Sequence, residues 1–147
     1  MFAEEIRITN KAHLRYGWTK LSFSKTQGHI MKLLDKHGCD KILVTKDGDE
    51  WQLGFVYQNV PYLFVIPKVF LNGVYDDKIG IRLIFRYLET SLELAKVRAC
   101  NLSEMLLAQR LVEIDGEKIT LGNAVKCLPP ARLFETNKFI EAEWIDD

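Results

Sequence analysis

Between Ser24 and Arg98 the hydrophobic positions change their spacing twice, and the changes mark a helix, three strands and a longer second helix. Ile30, Leu33, Leu34 and His37 recur at helical spacing. Lys25, His29, Lys32 and Lys36 fall within roughly 60° of one another on the opposite side, so the first helix has a core face and a basic face. Ser24 stands where an N-cap belongs, with Gln27 completing a capping box, and Gly38 suits the left-handed residue that ends a helix. The period then drops to two. Lys41 to Thr45 is rich in β-formers, and Trp51, Leu53, Phe55 and Tyr57 alternate with Gln52, Gly54, Val56 and Gln58. Tyr62 to Ile66 is apolar throughout, which fits a strand buried on both faces. Asp47-Gly48-Asp49 supplies a loop one residue longer than the tightest hairpin. Asn59-Val60-Pro61 supplies the next turn, and Pro67 ends the third strand because it has no N–H for a ladder. Short connections make this meander antiparallel, with the first helix on a single face.

The second helix starts near Asp76 or Asp77, where carboxylates suit the helix dipole. Ile81, Ile84, Phe85, Leu88, Leu92 and Ala95 form its apolar stripe. Lys78, Arg82, Arg86, Glu89, Glu93 and Lys96 form a charged stripe with Arg86–Glu89 and Glu93–Lys96 pairs, which reads as a solvated face. Asn101 and Glu104 then propose a short capped helix. Leu111 to Ile114 and Lys118 to Leu121 flank Asp115-Gly116 as a hairpin, with Glu117 lengthening its loop. Pro129-Pro130 ends regular structure. The fold class expected is α+β: helix, three-stranded antiparallel meander, long helix, then a short helix and hairpin. It divides into a basic arm (1–23), one domain (24–130) and an acidic aromatic tail (131–147). Ile6 and Ile8 in the arm alternate with charges, as an edge strand does.

At 147 residues with 48% hydrophobic and 27% charged content, the chain has the make-up of one globular domain. No apolar run reaches the ~18 residues of a membrane span. With no charged-then-apolar leader, a cytoplasmic setting is expected. Cys39, Cys100 and Cys127, odd in number and far apart, read as free, mostly buried thiols. Net charge is zero but uneven: residues 1–46 hold nine Lys/Arg against four Asp/Glu, a net of +5, which leaves −5 for the rest. That asymmetry points to nucleic-acid contact or to the two ends neutralising each other across the fold.

Candidate chemistry is sparse. Phosphate loops, nucleophile elbows and Cys-x-x-Cys pairs are absent. Asp76-Asp77-Lys78 contains the Asp-x-Lys of some nucleases but precedes a helix, and His37 with Cys39 falls short of a metal set. The chain is therefore read as a non-enzyme without cofactor or metal, with nuclease activity the one enzymatic alternative left open. His13, Tyr16 and Trp18 stand among Lys11, Arg15 and Lys20, an interleaving that suits single-stranded nucleic acid; packing of Tyr16 and Trp18 on the sheet is the plainer expectation. The candidate nucleic-acid contacts are Arg15, Trp18, Lys20, Lys25, His29, Lys32 and Lys36.

The order helix, three strands, helix is similar to that of double-stranded-RNA-binding domains. The first hairpin loop (Asp47-Gly48-Asp49-Glu50) and the second helix start are acidic here, so only the topology is comparable. The layout also resembles a family of small uncharacterised bacteriophage- and prophage-encoded proteins. The resemblance rests on Ile30 to Cys39, a helix ending in a glycine turn; on Phe64-Val65-Ile66-Pro67; on Arg82 with Leu92-Glu93; and on Leu106-Leu107 with Asp115-Gly116. It covers roughly residues 22–130, and the long helix here carries less lysine than that pattern. The motifs are structural, so the resemblance implies no activity and transfers no functional residue. The resulting expectation is a phage-type accessory protein that binds nucleic acid through arm and first helix. The alternative is a module that docks a host or phage protein through its C-terminal tail, where Glu141, Glu143, Asp146 and Asp147 surround Trp144.

Overall fold

A computed structural model of the chain describes residues 5–14, 16–127 and 138–139. Its frame is the expected α+β arrangement. Helix α1 (Phe23–Lys36) leads into strands β2 (Asp40–Asp47), β3 (Glu50–Tyr57) and β4 (Val60–Val65), which form an antiparallel sheet in that order. Helix α2 (Asp77–Lys96) returns over the same face. Phe23, Ile30 and Leu34 of α1 meet Leu53, Phe55, Tyr62 and Phe64 of the sheet and Ile81, Phe85, Leu88 and Leu92 of α2 in one buried cluster. Leu33 and Ile84 pack against its edge. Leu53 and Phe55 face this cluster as the period predicts, but Gly54 and Val56 between them are buried too, so the central strand is covered on both faces rather than alternating.

Several boundaries differ from the sequence reading. Ser22, not Ser24, caps α1: its Oγ accepts from the Lys25 N–H at 3.2 Å. The shift lets Phe23 enter the first turn and bury its ring 4.7 Å from that of Trp51. Gly38 does end the helix, at φ 80°, with Gly38 N–H donating to Asp35 and Cys39 N–H to Leu34. The first hairpin is tighter than expected, since Asp47 pairs with Glu50 and only Gly48 and Asp49 lie between. The second turn is Gln58-Asn59, both at positive φ, rather than Asn59 to Pro61. Pro61 lies inside β4 opposite Val56. Because Ile66 N–H donates to Trp51, even-numbered residues of β4 point their backbone groups at β3 and Pro61 points outward. An edge strand tolerates proline there. Burial of the third strand is also unequal: Tyr62, Phe64 and Ile66 are buried, whereas Leu63 and Val65 are only half-buried.

A second sheet was not foreseen. β1 (Glu5–Ile8), expected as an edge strand, runs parallel to β5 (Lys68–Leu71), and β5 turns back into β6 (Val74–Asp76). Asn72-Gly73, both at positive φ, makes that turn. Ile8, Val69 and Ile79 form a small core between this sheet and α2. The amino-terminal half of α2 is therefore covered on two sides. Gly80 marks the squeeze: a Cβ there would lie 2.0 Å from the Pro67 carbonyl oxygen. Gly→Ala inside a helix normally stabilises by ~1 kcal/mol. Gly80→Ala should instead destabilise by roughly 1–3 kcal/mol or more, because backbone has to move. Urea unfolding checks the sign, and a gain in stability would contradict this packing.

Asp76 caps α2 through Oδ1 to the Lys78 N–H at 2.9 Å, which gives the Asp-x-Lys fragment a structural role. Asn101 likewise caps α3 (Leu102–Met105). β7 (Leu111–Ile114) and β8 (Glu117–Thr120) form the expected hairpin, but Glu117 pairs with Ile114, so Asp115-Gly116 alone makes the turn. Leu121 opens a further helix, α4 (Leu121–Cys127), rather than closing the strand. β9 (Lys138–Phe139) lies against β7. Pro129-Pro130, Trp144 and the four tail acids named above lie outside the described residues. Cys39 is buried, and burial, then Asp40, pushes its thiol up to about 12. Cys100 is exposed, against expectation, because the chain between α2 and α3 runs over the surface. No helix among the described residues is long and apolar enough to cross a membrane.

His37, at the carboxyl end of α1, is nearly enclosed, and its Nε2 has no hydrogen-bond partner; Glu93 Oε1 is 4.0 Å away. Burial lowers its pKa from 6.5, outweighing the pull of Glu93. The unfolded chain then holds the proton more readily than the folded one. Stability is complete above about pH 6.5 and falls as pH drops toward the folded value. Melting temperature should decline as pH is lowered through about 6.5, and His37→Gln should remove part of that decline. An unchanged pH profile in the variant would contradict the assignment.

Candidate nucleic-acid interface

The basic face of α1 forms as its spacing dictates. Lys25, Lys32 and Lys36 are all exposed, and none has an ion-pair partner among the described residues. At 1.5 Å per residue the row is about 16 Å long. His29 leaves this row. It is the member nearest the flank covered by α2, and its ring centre lies 5.8 Å from that of Phe85, with Nδ1 3.4 Å from Arg82 Nη1. His29 contacts Arg82 and Phe85 while His37 approaches Glu93, so the two helices run in the same direction.

The segment before α1 is tightly wound. Asn10 caps a short 3-10 turn at Lys11–His13, Gly17 N–H donates to Leu14, and Thr19 N–H donates to Tyr16. Tyr16 has φ 66°, and a Cβ on buried Gly17 would lie 2.0 Å from the Lys11 carbonyl oxygen, so only glycine fits. These turns leave Trp18 outside. Trp18 does not pack on the sheet as expected, being 66% exposed, whereas Tyr16 is half-buried with the Arg86 guanidinium of α2 5.7 Å from its ring centre. Lys11 Nζ stands 5.4 Å from the Trp18 ring centre. Lys20 is exposed between Trp18 and the helix cap, and Arg15 lies outside the described residues. Four residues lie between Trp18 and Phe23, so Trp18 and Lys20 are joined to the helix at its Lys25 end by a span of at most about 18 Å.

Two groups escaped the sequence reading. Arg82 and Arg86 belong to the stripe read as solvated, yet Arg82 is buried over the Phe85 ring at 4.7 Å. Arg86 is half-buried and pairs with Glu89 at 2.7 Å, as its spacing predicts. Only their position on the flank of the apolar stripe hinted at contact with a neighbouring helix. The described residues contain no group of three or more His, Cys, Asp or Glu able to hold a metal ion. No protein-family model, curated protein or solved structure matches the chain.

Proposed function

We propose that this chain binds nucleic acid, with Lys25, Lys32 and Lys36 on backbone phosphates and Trp18 on an unpaired base, as an accessory protein of the phage type its layout resembles. The observation that carries the reading is Trp18. A large apolar ring left 66% exposed beside Lys11, at one end of an unpaired lysine row, costs solvation unless something stacks on it. Stacking on an aromatic ring with cations tracking the backbone is how single strands are held without sequence readout. The acidic first hairpin loop and α2 start argue against the duplex-RNA mode of domains with the same element order.

The test is a binding panel of single- and double-stranded DNA and RNA at two salt concentrations. Binding strongest for single strands and weaker at high salt is the expected result. Capture of a protein partner with no nucleic-acid binding even at low salt would favour docking through the tail instead.

A further inference from the structure

Arg82 is a buried cation without a counter-ion among the described residues. It is 8% exposed, and its one polar contact is the Nη1 approach to His29 Nδ1 at 3.4 Å, long for a hydrogen bond. Glu89, the acid that acts on it, is already held by Arg86. Two guanidiniums therefore share one carboxylate. Burial, with Arg86 adding to it, pulls the Arg82 pKa down, but arginine does not lose its proton in proteins. The Phe85 face and the shared Glu89 offset that charge only in part.

The donors around it are unspent. Nε and Nη2 of Arg82 make no hydrogen bond among the described residues, and neither is sealed from solvent. Arg86, one turn on, has a buried Nε without a partner. Arginine only donates, so a hydrogen bond in this contact runs from Arg82 to His29 Nδ1. Tyr16 closes the side over Arg86. His29 is one turn from both Lys25 and Lys32, so the cluster adjoins the lysine row.

We infer that Arg82, Arg86 and His29 form a seat for a phosphate group at the edge of the α1–α2 contact. The occupant is one phosphate of the strand that the lysine row tracks, so this step rests on the proposed function. A guanidinium fork matches two phosphate oxygens, which a lysine ammonium does not.

The test titrates the wild-type chain with inorganic phosphate and, at matched ionic strength, with chloride. It follows the arginine Nε–H and His29 NMR signals and the melting temperature. Phosphate alone should shift the Arg82 and His29 signals to saturation and raise the melting temperature. Arg82→Lys should weaken phosphate binding at least ~10-fold. Arg82→Met should abolish it while leaving the phosphate-free melting temperature unchanged or higher, since a buried and only partly offset charge is gone. Equal responses to phosphate and chloride, or a phosphate response retained by Arg82→Met, would overturn the seat. A large fall in melting temperature for Arg82→Met without phosphate would count against it as well. Phosphate binding with no oligonucleotide binding keeps the seat and retires the nucleic-acid reading. Oligonucleotide affinity unchanged in Arg82→Lys retires the seat and keeps that reading.

Discussion

Phe64→Ala is expected to cost about 3–5 kcal/mol, the range for truncating a core aromatic. Phe64 is 4% exposed and pairs in register with Leu53. Its ring lies 6.1 Å from Phe55, nearly parallel, and 6.1 Å from Tyr87, edge-on. Both the transfer of the ring and the hole it leaves count. Relaxation is limited because Leu53 and Phe55 are fully buried on the central strand, whose backbone is laddered on both sides. For a chain of this size the loss corresponds to a fall of roughly 6–20 °C in melting temperature. Leu43→Ala is the control: Leu43 is 49% exposed on β2 and should change stability by no more than about 0.5 kcal/mol. A Phe64→Ala loss below about 1 kcal/mol would contradict the core placed between the meander and the two helices.

Neutralising Lys25, Lys32 and Lys36 together to glutamine should flatten the slope of log K against log salt by about 2–3, at roughly 0.7–0.9 per phosphate contact. The three ammonium groups are exposed and lack ion-pair partners among the described residues, so little native interaction is lost with them. Melting temperature should hardly move, because surface changes away from caps and cores stay within about 0.5 kcal/mol each. Trp18→Ala should act differently. It removes a stacking platform worth about 1–3 kcal/mol per base and leaves the salt slope nearly unchanged. An unaltered slope in the triple variant would remove the row from the interface.

How much of this was legible follows from the range of the signal. The lysine row depends only on local period and is legible at once, whereas β3 carries the period of a half-buried strand and yet buries Gly54 and Val56 because its place at the centre of the sheet is not a local property. Turn positions were harder where two signals compete. Ser22 and Ser24 can each cap a helix, and the choice falls to whichever buries Phe23 against Trp51. Pro61 looked like a turn residue because the sequence does not reveal that β4 is an edge strand. Asn72-Gly73 is a strong hairpin signal, but the strands it joins, Lys68–Leu71 and Val74–Asp76, are too short to show an alternation of their own. The Arg82, His29 and Arg86 cluster was not readable from one helix at a time. Each residue looks polar and solvated until α1 and α2 are laid side by side, and then His29 meets Arg82 and Phe85 along their contact.

The central claim concerns a surface, so amide chemical-shift mapping with a short single-stranded oligonucleotide at low salt tests it most directly. The account predicts saturable shifts at Trp18, Lys20, Lys25, His29, Lys32 and Lys36, spreading to Arg82 and Arg86, and fading as salt is raised. Shifts confined instead to the groove beside β4, at Leu63, Val65, Ala108 and Asn123, or no shifts at all, would contradict it.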